Sequence, residues 1–263
     1  MSYKVLIATA GIGSRLENLT RFLNKSLITV ANRPVLSHII DKYPNDCEFV
    51  IPIGYKGNLV KDFLELAYPK KNFIFEEINP YIGEGSGLGL TILSCKRFLK
   101  EPFVFHSCDT LIREEIPKPI ENWMGYGQTI NENLNSYRTI ELNNNKVKSI
   151  NEKSILKNKN NKPYIGLCGI KDFEKFFEVM SNGGDNAVKI GEVFGLKSLI
   201  SEMNGIFFTW NDTGQKENLK KARVDYKSEQ EPHILEKENE CIWFMPNSKV
   251  IKFSNDENFI KNR

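Results

Sequence analysis

Val5-Leu6-Ile7-Ala8-Thr9-Ala10-Gly11-Ile12-Gly13-Ser14-Arg15-Leu16, then Asn24-Lys25-Ser26-Leu27-Ile28-Thr29-Val30 and Arg33-Pro34-Val35-Leu36, is the stretch from which the fold is read. Val5 to Ala8 is a short apolar run with β-branched residues, bounded by glycine, and predicts a buried first strand. Gly11 and Gly13 follow at once. Two glycines separated by one residue let main-chain N–H groups approach an anion without Cβ interference. Arg15 adds a planar, permanently charged fork for phosphate oxygens, and Lys25 adds a point charge. Such a turn at the carboxyl end of a first strand is where open α/β sheets bind nucleotides. It is neither a Rossmann fingerprint, since the third glycine is missing, nor a P-loop, since no G-x-x-x-x-G-K-[ST] occurs.

Outward from this segment, strand and helix signals alternate. Val35 to Tyr43 reads as a helix entered through Pro34, a favoured first-turn residue. Glu48 to Gly54 reads as a strand, Gly57 to Leu66 as a helix, and Phe73 to Phe75 as a strand. Ser86 to Phe98 carries Leu90, Ile92, Leu93 and Phe98 at helical spacing, and Pro102 to His106 reads as a fourth strand. This alternation predicts an α/β fold, a doubly wound sheet with parallel core strands.

After Pro117 the pattern changes. Thr139 to Leu142, Asn145 to Ile150 and Tyr164 to Leu167 read as strands of a mixed sheet, with a hairpin turn at Asn143-Asn144. Lys171 to Met180 and Gly195 to Glu202 read as helices, Ile206 to Trp210 as a late strand, and Glu217 to Arg223 as a short helix. Residues 157–162 are a short polar stretch. The expected division is one domain over 1–228 and a tail over 229–263, in which Ile242 to Met245 and Lys249 to Phe253 form a hairpin around Pro246-Asn247-Ser248. The tail resembles the opening hairpin of a small-molecule kinase fold but is too short to hold a kinase site. Packing on the main domain or on a partner subunit is the expectation, which leaves room for a homo-oligomer through the tail.

A chain of 263 residues, 40% apolar and 26% charged, has the composition of a globular protein with an ample core. Its net charge of +3 is too small to argue for nucleic acid as a partner. No apolar run approaches ~20 residues, so no membrane span is expected. The first strand starts too early to leave room for a signal peptide. Cys47, Cys95, Cys108, Cys168 and Cys241 are odd in number and lack C-x-x-C spacing, which fits reduced, buried thiols of a cytoplasmic protein.

Asp109 closely follows the strand ending at His106, and Asp212 follows the strand ending at Trp210. A carboxylate at the end of a buried strand faces the nucleotide crevice of such a sheet. Two carboxylates completed by triphosphate oxygens suit Mg²⁺. Sequence spacing alone makes no metal motif of them, and Asp212-Thr213-Gly214 has the makings of a turn. His38 and His233 read as structural. His106 is near Asp109, but strand alternation does not force it toward the same face.

These blocks resemble the signature regions of the nucleotidyltransferase superfamily, the sugar-phosphate nucleotidylyltransferases and the phosphocholine cytidylyltransferases of cell-surface synthesis. Gly11-Ile12-Gly13-Ser14-Arg15-Leu16 is similar to that family's G-x-G-[ST]-R-[LM], and Lys25 to Val30 to its P-K-[AP]-L-x-P-[VI], with Asn24 and Thr29 where prolines are usual. Phe103 to Asp109 is similar to its strand ending in an aspartate. Trp210 to Leu219 is similar to its W-x-D-x-G-[TN]-x-E-x-L, and Ile150 to Lys153 to its V-x-E-K-P, with Ser154 for the proline.

The resemblance implies a three-layer α/β/α, Rossmann-like (GT-A-like) fold with a mixed, mainly parallel central sheet, and an enzyme that transfers a nucleotidyl group. It implies nucleotide contacts from Ala10, Gly11, Gly13, Ser14, Gly85 and Ser86, and catalytic charges on Arg15 and Lys25. Lys153 and Gly166 would meet the acceptor, and Asp109 and Asp212 would bind Mg²⁺. Within the family, the altered prolines and the tail lean toward a CTP-using enzyme of capsule or surface-glycan modification, acting on a phosphorylated small molecule such as phosphocholine or a phosphoamino acid. A hexose-1-phosphate uridylyl- or thymidylyltransferase is the near rival. A non-catalytic nucleotide-sensing subunit is a further alternative, against which the retained charges argue. A glycosyltransferase would be expected to carry a D-x-D triplet, and none occurs.

Overall fold

Alternation along the first strand sets the layers of the molecule. In the computed structural model, which describes residues 3–128, 134–153, 160–227, 236–237, 240–245, 248–256 and 258, β1 (Lys4–Ala8) sends Val5 and Ile7 into one apolar core and Leu6 into another. A strand buried on both faces needs cover on both, because successive side chains point to opposite sides. Helices α1 (Val35–Ile40) and α2 (Gly57–Ala67) cover the first core. The second takes Ile92 of α3 (Leu88–Ser94) and Phe176, Phe177 and Met180 of α4 (Phe173–Asn182). The result is a three-layer α/β/α fold.

The central sheet, among the described residues, has nine strands. Its parallel half is β4 (Glu48–Ile53) and β5 (Asn72–Glu77) on one side of β1 and β6 (Phe103–Ser107) on the other. β7 (Thr110–Ile112) leaves the sheet directly after β6. β8 (Trp123–Tyr126), β9 (Thr139–Asn143), β10 (Lys146–Asn151) and β11 (Lys162–Ile170) build the other half. There the pairings are antiparallel except for β8 with β12 (Asn204–Phe207). The short two-stranded ribbon β2 (Thr29–Val30) and β3 (Arg33–Pro34) lies before α1.

Several boundaries differ from those expected, each for a local reason. The hairpin between β9 and β10 turns at Asn144 and Asn145, both at positive φ, the backbone that primed hairpin turns require and asparagine tolerates. The helix expected over Ser86 to Phe98 starts at Leu88 and gives way to a 3-10 turn at Lys96–Phe98. Residues before the expected helix at Gly195 already form α5 (Gly184–Ile190) and α6 (Glu192–Leu196), with Lys197–Glu202 a 3-10 turn. Gly183 and Gly191, which flank α5, interrupt the periodicity by which those helices would be read.

The expected strand from Ile206 to Trp210 splits. Asn204–Phe207 joins the main sheet as β12, whereas β13 (Trp210–Asp212) pairs antiparallel with β7 and is followed by α7 (Lys216–Asp225). In the tail, β14 (Glu236–Lys237), β15 (Glu240–Met245) and β16 (Lys249–Ser254) form a small antiparallel sheet. It packs on the body: Trp243 is buried in the first core, its Nε1 donates to Thr29 Oγ1 at 2.9 Å, and Phe244 N donates to Asn32 O at 2.9 Å. His233, Ser154, residues 157–159 of the polar stretch and the turn residues Pro246-Asn247 lie outside the described residues.

All five cysteines are buried, and none of them forms a disulfide. No helix among the described residues is long and apolar enough to cross a membrane. His106 is fully buried and faces α1, away from the crevice. Its Nε2–H donates to Thr110 O at 2.9 Å and its Nδ1 accepts from Tyr43 OH at 2.8 Å. Burial pushes its pKa down to about 4, so the ring is neutral and staples the turn between β6 and β7.

Candidate active site

The glycine turn leaves β1 at the carboxyl edge of the parallel strands. Gly13 lies at φ 67, and a Cβ there would stand 2.9 Å from Lys25 Cβ, so both conformation and space call for glycine. Among the described residues, no backbone hydrogen bond uses the N–H of Gly11, Ile12 or Gly13. Ser14 opens the 3-10 turn Ser14–Thr20, and Arg15 projects from an exposed position. Ala10 is buried, and its carbonyl accepts from Tyr55 N at 2.9 Å.

Lys25 is held by its neighbour. Asn24 is fully buried, and its Nδ2 donates to Thr9 O at 2.9 Å and Tyr55 O at 2.7 Å. Its Oδ1 accepts from Ser26 N at 2.9 Å and Ser26 Oγ at 2.8 Å, capping the Lys25–Leu27 turn. The residue that departs from the usual proline is therefore the tie between the lysine turn, the end of β1 and the loop after β4. Asn24→Ala strips four hydrogen bonds and leaves buried carbonyls unmatched. It should lower unfolding stability by about 3 kcal/mol in urea titration. An unchanged midpoint and slope would contradict this role.

Asp109 and Asp212 meet through the β7–β13 ribbon. Asp212 is paired opposite Thr110, while Thr213 donates to Asp109 O from its N at 2.8 Å and its Oγ1 at 3.0 Å. Asp109 Oδ2 accepts from Lys25 Nζ at 3.1 Å and Oδ1 from Ser107 Oγ at 2.6 Å. Asp212 Oδ1 accepts from Gly214 N at 2.7 Å, and its Oδ2 accepts from Tyr137 OH at 2.7 Å and Asn218 Nδ2 at 2.8 Å. A Cβ on Gly214 would stand 2.7 Å from Asp109 Oδ2 and 3.1 Å from Asp212 Oδ1. The missing side chain leaves open the space that both carboxylates face.

Burial works against the charge of Asp109, but the Lys25 ammonium, the Ser107 hydroxyl and Arg15 hold its pKa down at about 2. Burial likewise opposes the Lys25 charge, yet Asp109 keeps the ammonium above its usual range. Asp212 is shifted upward by burial and by the charge of Asp109, against the hydrogen bonds from Gly214, Tyr137 and Asn218. Two acids crowded to this degree, with an open cradle between them, fit a hard divalent cation that takes one or two carboxylates and completes its shell with phosphate and water oxygens. Among the described residues, no group of three or more His, Cys, Asp and Glu side chains forms a metal cage, so phosphate oxygens would have to complete that shell.

A pocket of about 250 Å³ collects Arg15, Lys25, Asp109, Lys153, Gly166 and Asp212 on one surface. Burial, then Arg15 and Arg138, pull the Lys153 ammonium below its usual pKa. Gly166 sits at φ 72 where β11 loses register with β8, and a Cβ there would stand 2.8 Å from Ser107 Cβ. Gly85 and Ser86 are outside the pocket wall, in a turn closed by Ser86 Oγ donating to Gly83 O at 2.6 Å. Part of that glycine-rich run has a packing reason. A Cβ on Gly87 would stand 2.4 Å from Val188 O, and one on Gly89 1.9 Å from Ala187 O, so these glycines let α3 approach α5.

Sequence reasoning missed Ser107, Tyr137, Arg138, Asn218 and Glu192. Ser107 and Asn218 lay within the motif blocks but carried no chemical signal of their own. Tyr137, Arg138 and Glu192 lie where no periodic pattern announces an element.

No family model matches the chain. The bifunctional protein GlmU of Methanococcus vannielii is 29% identical over 224 residues, covering 80% of this chain and 51% of that protein. The chain thus spans about half the length of these curated relatives. In fold it is similar to UDP-glucose pyrophosphorylase complexed with UDP-glucose, with a TM-score of 0.71, 20% identity, and coverage of 86% of this chain and 98% of that one. It is also similar to the CTP:phosphocholine cytidylyltransferase of Streptococcus pneumoniae, with a TM-score of 0.65, 16% identity, and coverage of 86% and 100%.

Proposed function

We propose that this chain, which sequence relatives and fold together group with the sugar-phosphate nucleotidylyltransferase superfamily, transfers a nucleotidyl group from a nucleoside triphosphate to a phosphorylated small-molecule acceptor and releases pyrophosphate. One observation carries the reading: Arg15, Lys25, Lys153, Asp109 and Asp212, far apart in sequence, line a single pocket at the end of the parallel strands.

In the reaction proposed, an acceptor phosphate oxygen forms a bond to the α-phosphorus as the bond to the bridging β-oxygen breaks. The electron pair leaves with pyrophosphate. Such a displacement demands positioning and charge neutralisation more than general acid–base groups. The open N–H groups of Gly11 and Gly13, with Ser14, hold the triphosphate, and Ala10 shapes the floor of the turn. Arg15 neutralises the departing β- and γ-phosphates. Lys25, released from Asp109 toward phosphate oxygens, stabilises charge as it builds between acceptor and α-phosphate. Lys153 holds the acceptor's phosphate beside Gly166. Asp109 and Asp212 hold Mg²⁺, which when bound supplies Lewis-acid polarisation of the phosphate. Gly85 and Ser86 reach the base or ribose from the neighbouring turn.

We favour CTP and a setting in capsule or surface-glycan modification, which the likeness in fold to the CTP:phosphocholine enzyme supports. The likeness to UDP-glucose pyrophosphorylase supports a hexose-1-phosphate uridylyl- or thymidylyltransferase equally. A pyrophosphate-release assay with CTP, UTP, dTTP and ATP against a panel of phosphorylated acceptors tests the reading and selects the base. Magnesium-dependent release from one pair is expected. Triphosphate binding with no release from any pair would favour the nucleotide-sensing alternative instead.

A further inference from the structure

Glu192, the first residue of α6, lies on the same pocket wall as Lys153 and Gly166. It is 4% exposed, and its Oε2 has no hydrogen-bond partner among the described residues. Arg138 and Lys153 are nearby cations that favour its charge, and Tyr164 lies beside the carboxyl. The other glutamate of this region is fully engaged: Glu152 accepts from Arg138 Nε and from Lys197 Nζ, each at 2.8 Å. Gly191, at φ 80 and packed on Leu88, fixes where the chain enters α6 and so fixes the base of the Glu192 side chain. A buried carboxylate oxygen left unpaired is destabilising, and a native structure that keeps one does so for a reason, a functional partner at the site being one such reason. Burial accordingly shifts the Glu192 pKa upward.

We propose that Glu192 selects the acceptor by taking, on its free carboxylate oxygen, a hydrogen bond from a proton-bearing group at the acceptor's non-phosphate end. This rests on the transferase reading above, in which Lys153 holds the acceptor's phosphate. The proton belongs to a hydroxyl or to a primary ammonium. An acceptor whose far end is a fully methylated ammonium offers no such proton and leaves the oxygen both buried and unmatched. Specificity of this kind is steep, because the penalty falls on the enzyme's own desolvated group as well as on the lost contact.

The test uses the full chain with its preferred triphosphate and three acceptors. Glucose 1-phosphate offers hydroxyls, phosphoethanolamine a primary ammonium, and phosphocholine neither. The wild type should favour one of the first two over phosphocholine by about tenfold or more in kcat/KM. Glu192→Ala should raise the KM of the favoured acceptor by about tenfold, leave the triphosphate KM unchanged, and narrow the gap to phosphocholine. Its melting temperature should not fall, since an unpaired buried carboxylate has been removed. A fall would mark a structural residue instead.

Glu192→Gln separates the two proton sources. A neutral amide oxygen still accepts from a hydroxyl, so activity with glucose 1-phosphate is kept, whereas an ammonium loses its counter-charge and behaves as in the alanine variant. An acceptor KM unmoved in Glu192→Ala, or phosphocholine used as well as the others by the wild type, overturns the assignment while the transferase reading stands. Absence of product with every triphosphate and acceptor overturns both.

Discussion

Replacing Lys25 with alanine is expected to lower turnover at least ~10²-fold at saturating substrates, the scale on which a preorganised electrostatic stabiliser acts. Lys25 reaches Asp109 from one side of the pocket while Arg15 and Lys153 line the same wall. It is therefore the one of these cations tied directly to a carboxylate proposed to hold the metal. Because side chains at this pair retain only 18% and 16% exposure, loss of the lysine also leaves Asp109 poorly matched. The kinetic effect must be separated from unfolding by recording the melting temperature of the same preparation. Lys25→Arg should not restore full activity, since a planar fork does not occupy the space of the ammonium at Asp109. Turnover within twofold of wild type in Lys25→Ala would remove the residue from the mechanism.

The second large effect is expected at Asp109. Asp109→Ala should also lose at least ~10²-fold in turnover, with the dependence on Mg²⁺ concentration displaced upward. The β7–β13 ribbon should survive the change, because Thr213 bonds the main-chain carbonyl of Asp109 and not its carboxylate. A folded variant with an unaltered magnesium titration would sink the metal assignment. Gly214→Ala offers an orthogonal probe. It keeps both acids but puts a methyl group into the space they share, and should weaken magnesium activation without altering charge.

The parallel half of the fold was legible because its strands are apolar on both faces and bounded by glycine, proline and charged turns. β1, β4 and β6 follow that pattern closely, and β5 follows it only over Phe73-Ile74-Phe75. The other half was less so. β7 and β8 are short, lie among glycines and acids, and owe their strand conformation to partners remote in sequence. β13 could not be separated from β12 by pattern, since Phe208 and Thr209 between them look as strand-like as their neighbours. In the site, Arg15, Lys25, Asp109, Asp212, Lys153 and Gly166 were identifiable from motif blocks and do line one pocket. Tyr137, Asn218 and Glu192 were not. Each matters through a hydrogen bond, made or missing, in the folded chain, and a residue's type does not disclose its partner.

The ribbon joining β7 to β13 has a consequence for how the protein is made. A ribosome delivers the glycine turn, Lys25 and Asp109 long before Asp212, so the first part of the pocket can fold around its lysine–aspartate contact while the second acid is still unsynthesised. Pairings between distant segments form late, because loop closure precedes the contacts that reward it. The nascent chain is thus expected to acquire a triphosphate cradle first and its complete pair of acids last. Chemistry would then switch on only when the final third of the domain closes over the rest.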